Sequence, residues 1–227
     1  MPLNPSDLEN WSNDPEEWVN VEDKDNDLWE YEIRPCSERV LMQLSNQYPQ
    51  FITPLLESTF KQIAAQPPSG NLQSVLQREA LYCALGRCAI RLKDVIPFSD
   101  WLEHTLASEA RDPNPTYPII KRRIAWLIGK WVADSCTSPN NPRIWDVLVH
   151  LLKDRGPGTD YVVRLTAAVA LKDCLDTLEF EASFFEPYLP IAVAELIEMM
   201  GEADTFESKR RIDHSLNVVI EQMKELV

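Results

Sequence analysis

The chain has 227 residues, of which 44% are hydrophobic and 26% charged, and a formal net charge of −14. That is enough chain for one large core or two small ones, and it is too apolar for a disordered polypeptide. No eighteen-residue stretch is free of charge, and Met1-Pro2-Leu3-Asn4 does not open a basic-then-apolar leader, so neither a membrane span nor a signal peptide is expected. The acidic balance argues against a general nucleic-acid binder and favours a basic partner or simple solubility.

The first 35 residues differ from the rest. They carry −9 of the −14 net charge, with Trp11, Trp18, Trp29 and Tyr31 set among the acids. Residues 1–35 therefore read as an acidic, tryptophan-containing arm or insertion, extended or looped, whose indoles dock on something. Within it Asp14-Pro15-Glu16-Glu17-Trp18 reads as a helix start, with Asp14 as N-cap and Pro15 in the first turn.

Residues 36–227 read as helical throughout. Expected helices run over 39–48, 51–66, 72–93, 99–108 with Ser99 as N-cap, 117–134, 143–154, 160–176, 184–200 and 205–225. Pro67-Pro68-Ser69-Gly70 and Arg155-Gly156-Pro157-Gly158 are breakers between them. Short joints and no strand pattern give an all-α class.

These helices repeat. Arg39, Arg78, Arg123, Arg164 and Arg211 each lead an apolar helix, at separations of 39, 45, 41 and 47 residues. That range fits a two-helix unit of about 40–47 residues, the size of a HEAT or armadillo repeat. Such repeats stack into an α-α superhelix, here four helix pairs (49–94, 97–135, 140–177, 181–227) behind one leading helix. On a helical wheel of 162–176, Thr166, Lys172, Asp173 and Asp176 share one polar wedge, while apolar side chains fill most of the remainder. A helix so apolar must be covered from several sides. Arg164 lies outside the wedge, so it is expected to be semi-buried and paired with Asp154 or Asp160 at the preceding turn. Trp126, Trp131 and Trp145 read as core wedges between repeats.

Enzyme chemistry finds no foothold. His104, His150 and His214 have no second ligand at metal spacing, and Cys36, Cys83, Cys88, Cys136 and Cys174 form no C-x-x-C pair. The cysteines read as small core residues of an intracellular protein. Glycine-rich phosphate loops and nucleophile elbows are missing. No catalytic residue, metal or cofactor is expected.

Several strings together resemble a family. Ile33-Arg34-Pro35-Cys36-Ser37-Glu38, Leu81-Tyr82-Cys83-Ala84-Leu85-Gly86, Val162-Val163-Arg164-Leu165 and, most specifically, Arg122-Arg123-Ile124-Ala125-Trp126-Leu127-Ile128-Gly129-Lys130-Trp131 are similar to the middle of importin-β-type nuclear transport receptors (karyopherin-β), most closely the importin-eleven subfamily. Leu8-Glu9-Asn10-Trp11 with Asp14-Pro15-Glu16-Glu17 resembles that family's acidic insertion. The resemblance implies a central segment of a receptor that binds protein cargo and passes nuclear pores by way of nucleoporins. It implies control by the GTPase Ran acting on the full-length receptor, and shuttling between nucleus and cytoplasm. It points to no Ran-contact residue here. The repeat pattern alone also fits a HEAT scaffold of another class, such as a phosphatase or trafficking subunit.

Two sets of residues are candidates for protein binding. Trp11, Trp18 and Trp29, flanked by carboxylates, suit a basic, partly apolar peptide such as a basic cargo; alternatively they pack the arm on its own repeats. Lys121 and Arg122, with Lys130 further along, form a basic patch for an acidic partner, the chain's own arm included, or else a solvated helix start. Lys209-Arg210-Arg211 carries the same two readings.

Overall fold

A computed structural model of the chain describes residues 1–22, 30, 32–64, 66 and 70–224. Trp29, Tyr31, the acids of 23–29 and the Pro67-Pro68-Ser69 breaker lie outside the described residues. Among the described residues every regular element is a helix.

The arm is helical where an extended or looped segment was expected, and the helix start read at Asp14-Pro15 forms. Helix α1 (Pro5–Asn13) begins in a capping box: the Asp7 N–H donates to Asn4 Oδ1 at 3.0 Å, and the Asn4 N–H donates to Asp7 Oδ2 at 2.8 Å. Helix α2 (Pro15–Glu22) follows, with the Glu17 N–H on Asp14 Oδ1 at 3.1 Å. Asn-Pro-x-Asp and Asp-Pro-x-Glu each satisfy the exposed N–H groups of a first turn, so two short helices replace the loop.

Helix α3 (Ile33–Gln47) starts earlier than expected. Pro35 falls in its first turn, where the missing N–H would have had no partner anyway. Then come α4 (Pro49–Ala64), α5 (Leu72–Arg87) and a single turn, α6 (Ala89–Leu92). The helix expected over 72–93 is thus broken at Cys88. Next is a rod of α7 (Phe98–Trp101), a π-helical turn (Leu102–Leu106) and α8 (Ala107–Glu109). It opens after Pro97, not at a Ser99 cap. The chain continues through α9 (Pro118–Ala133), α10 (Pro142–Lys153) and α11 (Tyr161–Leu175). A turn, α12 (Ala182–Phe185), leads through a 3-10 segment into α13 (Leu189–Glu202), and α14 (Phe206–Met223) follows.

The pairing is sequential, as in a HEAT-type solenoid. Helix α4 packs on α5, α10 on α11, and α13 on α14; the second helices form a row in which α5 meets α9, α9 meets α11, and α11 meets α14. Helix α9 is covered on both flanks, which explains why nearly all of its girth, Lys130 excepted, is apolar or buried. Trp131 and Trp145 are fully buried wedges: Trp131 stacks on Phe98 at 4.6 Å, and Trp145 meets Phe185 edge-on at 5.0 Å. Trp126 is no core wedge. It is half-buried on the free side of the row.

Polar contacts keep the repeat's period. Hydrogen bonds join residues 38 apart (Arg164–Glu202), 40 apart (Arg155–Glu195), 44 apart (Arg123–Glu79) and 45 apart (Arg34–Glu79). The predicted Asp154–Arg164 contact does not form. Arg164 donates Nε–H to the Leu152 carbonyl at 3.1 Å and Nη1–H to Glu202 at 2.6 Å, whereas Asp154 binds Lys121 Nζ at 3.3 Å and the Thr159 hydroxyl at 2.5 Å. Asp160 instead caps α11 through the Val163 N–H.

A stricter repeat cation emerges from this. Arg78 bonds Glu109, the last residue of α8; Lys121 bonds Asp154, the C-cap of α10; Arg164 bonds Glu202, the last residue of α13. Each cation on a second helix therefore grips a carboxylate at the C-terminal end of the next pair's first helix. Arg78 and Arg164 also donate to the carbonyl twelve residues earlier, Gln66 and Leu152, at the end of their own first helix. A carboxylate at a helix C-terminus is disfavoured by the helix dipole, and the cation offsets that. The α9 member of the series is Lys121, not the Arg123 chosen from sequence.

Candidate binding face

The free side of the second-helix row collects charge. Glu79 on α5 is 1% exposed and sits at the centre. Its Oε1 accepts from Arg34 Nη2 at 2.8 Å and from Arg123 Nε at 2.8 Å. Burial pushes the Glu79 carboxyl up, but Arg123 and then Arg34 outweigh it, and its pKa lies below the ordinary value. Glu38 from α3 meets Arg87 Nε at 2.8 Å and Arg34 at 3.6 Å. It too lies below its ordinary value, burial being overcome by Arg87, Arg123 and Arg34. The Cys83 thiol donates to Glu38 at 3.3 Å, and burial pushes it up to about 11, so it is a protonated packing group and no nucleophile. Trp126 lies between two of these guanidiniums, with Arg123 at 4.6 Å and Arg87 at 5.2 Å from its ring centroid.

The arm docks on the same row and completes the cluster. Glu22, the last residue of α2, reaches Arg34 at 3.0 Å, Arg123 at 3.4 Å and Arg122 at 3.5 Å. Trp18 lies 5.3 Å from the Arg122 guanidinium and stacks on Trp11 at 4.3 Å. The Trp11 indole N–H donates to Asp160 at 2.7 Å, at the start of α11. Glu16 caps α14 from outside: its carboxylate accepts from the Asp204 N–H at 2.8 Å, the Thr205 N–H at 2.9 Å and the Thr205 hydroxyl at 2.7 Å. Burial raises the Glu16 pKa, yet these hydrogen bonds win and hold it below the ordinary value. Asn20 completes the seam, donating to Ser208 at 3.0 Å and accepting from Arg211 at 2.9 Å. The arm therefore spans α9, α11 and α14.

This geometry fixes where the sequence candidates stand. Trp11 is 7% and Trp18 8% exposed, so neither indole is presented to solvent in this conformation. Lys121 is 1% exposed and committed to Asp154; Arg122 is 2% exposed and faces Trp18 and Glu22. The residues that receive the arm's acids include two of the cations picked from the Lys121-Arg122-Arg123 string. Lys130 lies apart from them, one end of a groove between α9, α11 and α14. Among the described residues no ion pair holds it. The carboxylates Glu22, Glu38 and Glu79, and the cap formed by Glu16, were not singled out from sequence. For Glu79 the signal is its separation of one repeat length from both Arg34 and Arg123.

Among the described residues no group of three or more histidine, cysteine or acidic side chains is placed to hold a metal, and no helix is long and apolar enough to cross a membrane. The face presents a row of fixed charges and the Trp126 indole flanked by two guanidiniums.

No protein-family model matches the chain. The chain is similar to importin-11 of Mus musculus and of Homo sapiens, 30% identical over 221 residues, which cover 97% of this chain and 22% of each relative. It is 28% identical over 229 residues to the importin beta-like protein KAP120 of Saccharomyces cerevisiae, covering 99% of this chain and 22% of that protein. With the importin beta-like protein kap113 of Schizosaccharomyces pombe the identity is 27% over 208 residues, 91% of this chain and 20% of the relative. The chain thus spans 22% of the length of the first relatives it matches. A sequential stack of helix pairs that matches such proteins along almost all of its residues belongs to the importin-β family.

Proposed function

We propose that the chain is a segment of a nuclear transport receptor that binds protein cargo and catalyses nothing. The receptor carries its cargo through nuclear pores by way of nucleoporins, shuttling between nucleus and cytoplasm under the control of Ran. The observation that carries this reading is the 221-residue match to two proteins named importin-11. The structure supports it in a general way: a row of second helices presents one continuous face, and many weak contacts along such a face sum to useful affinity. Apart from the arm, which bridges α9, α11 and α14, each pair packs on the next, so small rotations add along the stack. Ran would release or load cargo by binding one curvature better than another, which requires differential affinity for the two shapes.

The test uses the full-length receptor as bait in nuclear extract, with and without GTP-loaded Ran. The expected result is a set of captured proteins whose retention changes when GTP-loaded Ran is added. Retention indifferent to Ran would overturn the reading and favour a HEAT scaffold of another class.

A further inference from the structure

Beside the docked arm the second-helix row leaves a groove of about 320 Å³ between α9, α11 and α14. Its lining reverses the character of the chain. Lys130, Lys172, Arg210 and Arg211 face one carboxylate, Asp173, in a protein whose net charge is −14. Asp173 holds Lys172 at 2.7 Å, and Glu207 holds Arg210 at 2.6 Å, so these cations are positioned and not freely swinging. The apolar part of the lining is Val169 and Ala170 on α11, beside the Trp126 ring.

The stretch of the row next to this groove already accepts acid and indole. Trp18 lies on Arg122, Glu22 reaches Arg122 and Arg123, and Asn20 binds Arg211, which itself lines the groove. We infer that the groove is a docking site for an acidic peptide segment of a protein partner. Its carboxylates meet Lys130, Lys172 and Arg210, and an apolar side chain between them rests on Val169 and Trp126. Charge complementarity sets both the sign of the ligand and its rate of encounter. This partner is opposite in charge to the basic cargo expected from the acidic arm, and the inference stands without Ran or the pore.

The experiment titrates the full chain into a fluorescein-labelled twelve-residue peptide of aspartates and glutamates with one central leucine, read by anisotropy at low salt. A lysine-rich peptide of equal length is the comparison. Saturable binding of the acidic peptide alone is expected. The double reversal Lys130→Glu with Lys172→Glu should weaken it about tenfold. The milder Lys130→Gln with Lys172→Gln should weaken it less, with an unchanged circular dichroism spectrum. Lys93→Glu with Lys153→Glu, an equal charge change at exposed positions outside the groove lining, should leave it unchanged. Failure of the acidic peptide to bind, preference for the lysine-rich peptide, or equal weakening by the two charge-reversed variants would each overturn the assignment.

Discussion

Glu79→Ala removes the more deeply buried of the two carboxylates, Glu79 and Glu22, that Arg34 and Arg123 share. The Glu79 side chain is 1% exposed and Arg123 is 2% exposed, so the Arg123 guanidinium cannot turn to water without moving a helix. Removing one partner of a buried ion pair costs about 3–5 kcal/mol, because the remaining charge stays desolvated. Here Glu22 and Glu38 stay within 3.0 Å and 3.6 Å of Arg34, and Glu22 within 3.4 Å of Arg123. They take up part of the loss, so the lower end, about 3 kcal/mol, is expected. For a chain of this size that lowers the melting temperature by roughly 6–12 °C. Glu79→Gln keeps an acceptor and loses only the charge, so it should fall by about half as much. The decisive arm is a double-mutant cycle with Arg123→Met, measured by thermal and urea unfolding at pH 7. With the carboxylate already gone, removing Arg123 should recover stability, giving a coupling of about 1.5–3 kcal/mol. A shift under 2 °C for Glu79→Ala, or two substitutions that simply add, would refute the claim that this cluster holds α3, α5 and α9 together.

Three further outcomes follow from the geometry. Ser135 ends α9 at φ +53, with the Cys136 N–H on the Trp131 carbonyl at 2.8 Å and the Ser135 N–H on Val132 at 2.9 Å. Ser135→Gly should therefore gain about 0.5–1 kcal/mol in urea unfolding, because glycine takes this left-handed position without strain. Gly158 has φ +80 and a Cβ there would lie 2.5 Å from the Asn114 carbonyl oxygen. Gly158→Ala should cost about 2 kcal/mol in the same assay, since neither backbone can yield cheaply. Acid should weaken the fold. Glu79, Glu38 and Glu16 have folded pKa values below 4.5, and Asp154 below 3.8, so their stabilisation is complete above those values and is lost as pH falls through the lower folded ones. Burial raises Glu109 and Asp160, which therefore oppose the trend: their protonation favours the fold as pH drops. The unfolding midpoint should nonetheless fall below pH 4; a midpoint that rises there would mean that Glu109 and Asp160 dominate.

Much of the architecture was legible in the residues. Pro-led or Asn-, Asp- and Thr-capped starts at Pro118, Pro142, Tyr161 and Phe206 placed α9, α10, α11 and α14 to within a residue or two, whereas the helix expected over 184–200 is divided between α12, a 3-10 segment and α13. The spacing of arginines gave the repeat, but in the wrong phase at one point. Arg78, Lys121 and Arg164 are evenly separated by 43 residues, and only the first and last are arginines; a search for identical residues chose Arg123 and lost the regularity. The arm was harder. Its caps at Asn4 and Asp14 are local, but where it docks depends on contacts 100 to 192 residues away, which no local pattern encodes. The charged cluster was illegible for the same reason: Glu22, Glu38, Glu79 and Arg123 come together only when α2, α3, α5 and α9 pack together. Tryptophan beside acid leaves two readings open, a site for a basic peptide or packing of the arm on its own repeats; in this structure Trp18 lies against the chain's own Arg122.

The binding-face account depends most on the arm being part of the folded row. Hydrogen exchange of the full chain reads this directly. The account predicts that amides of residues 5–22 exchange slowly, and that Glu16→Ala makes them labile together with the Asp204 and Thr205 N–H groups, while α9 and α10 stay protected. Residues 5–22 exchanging at the rate of an unfolded peptide in the unaltered chain would contradict it.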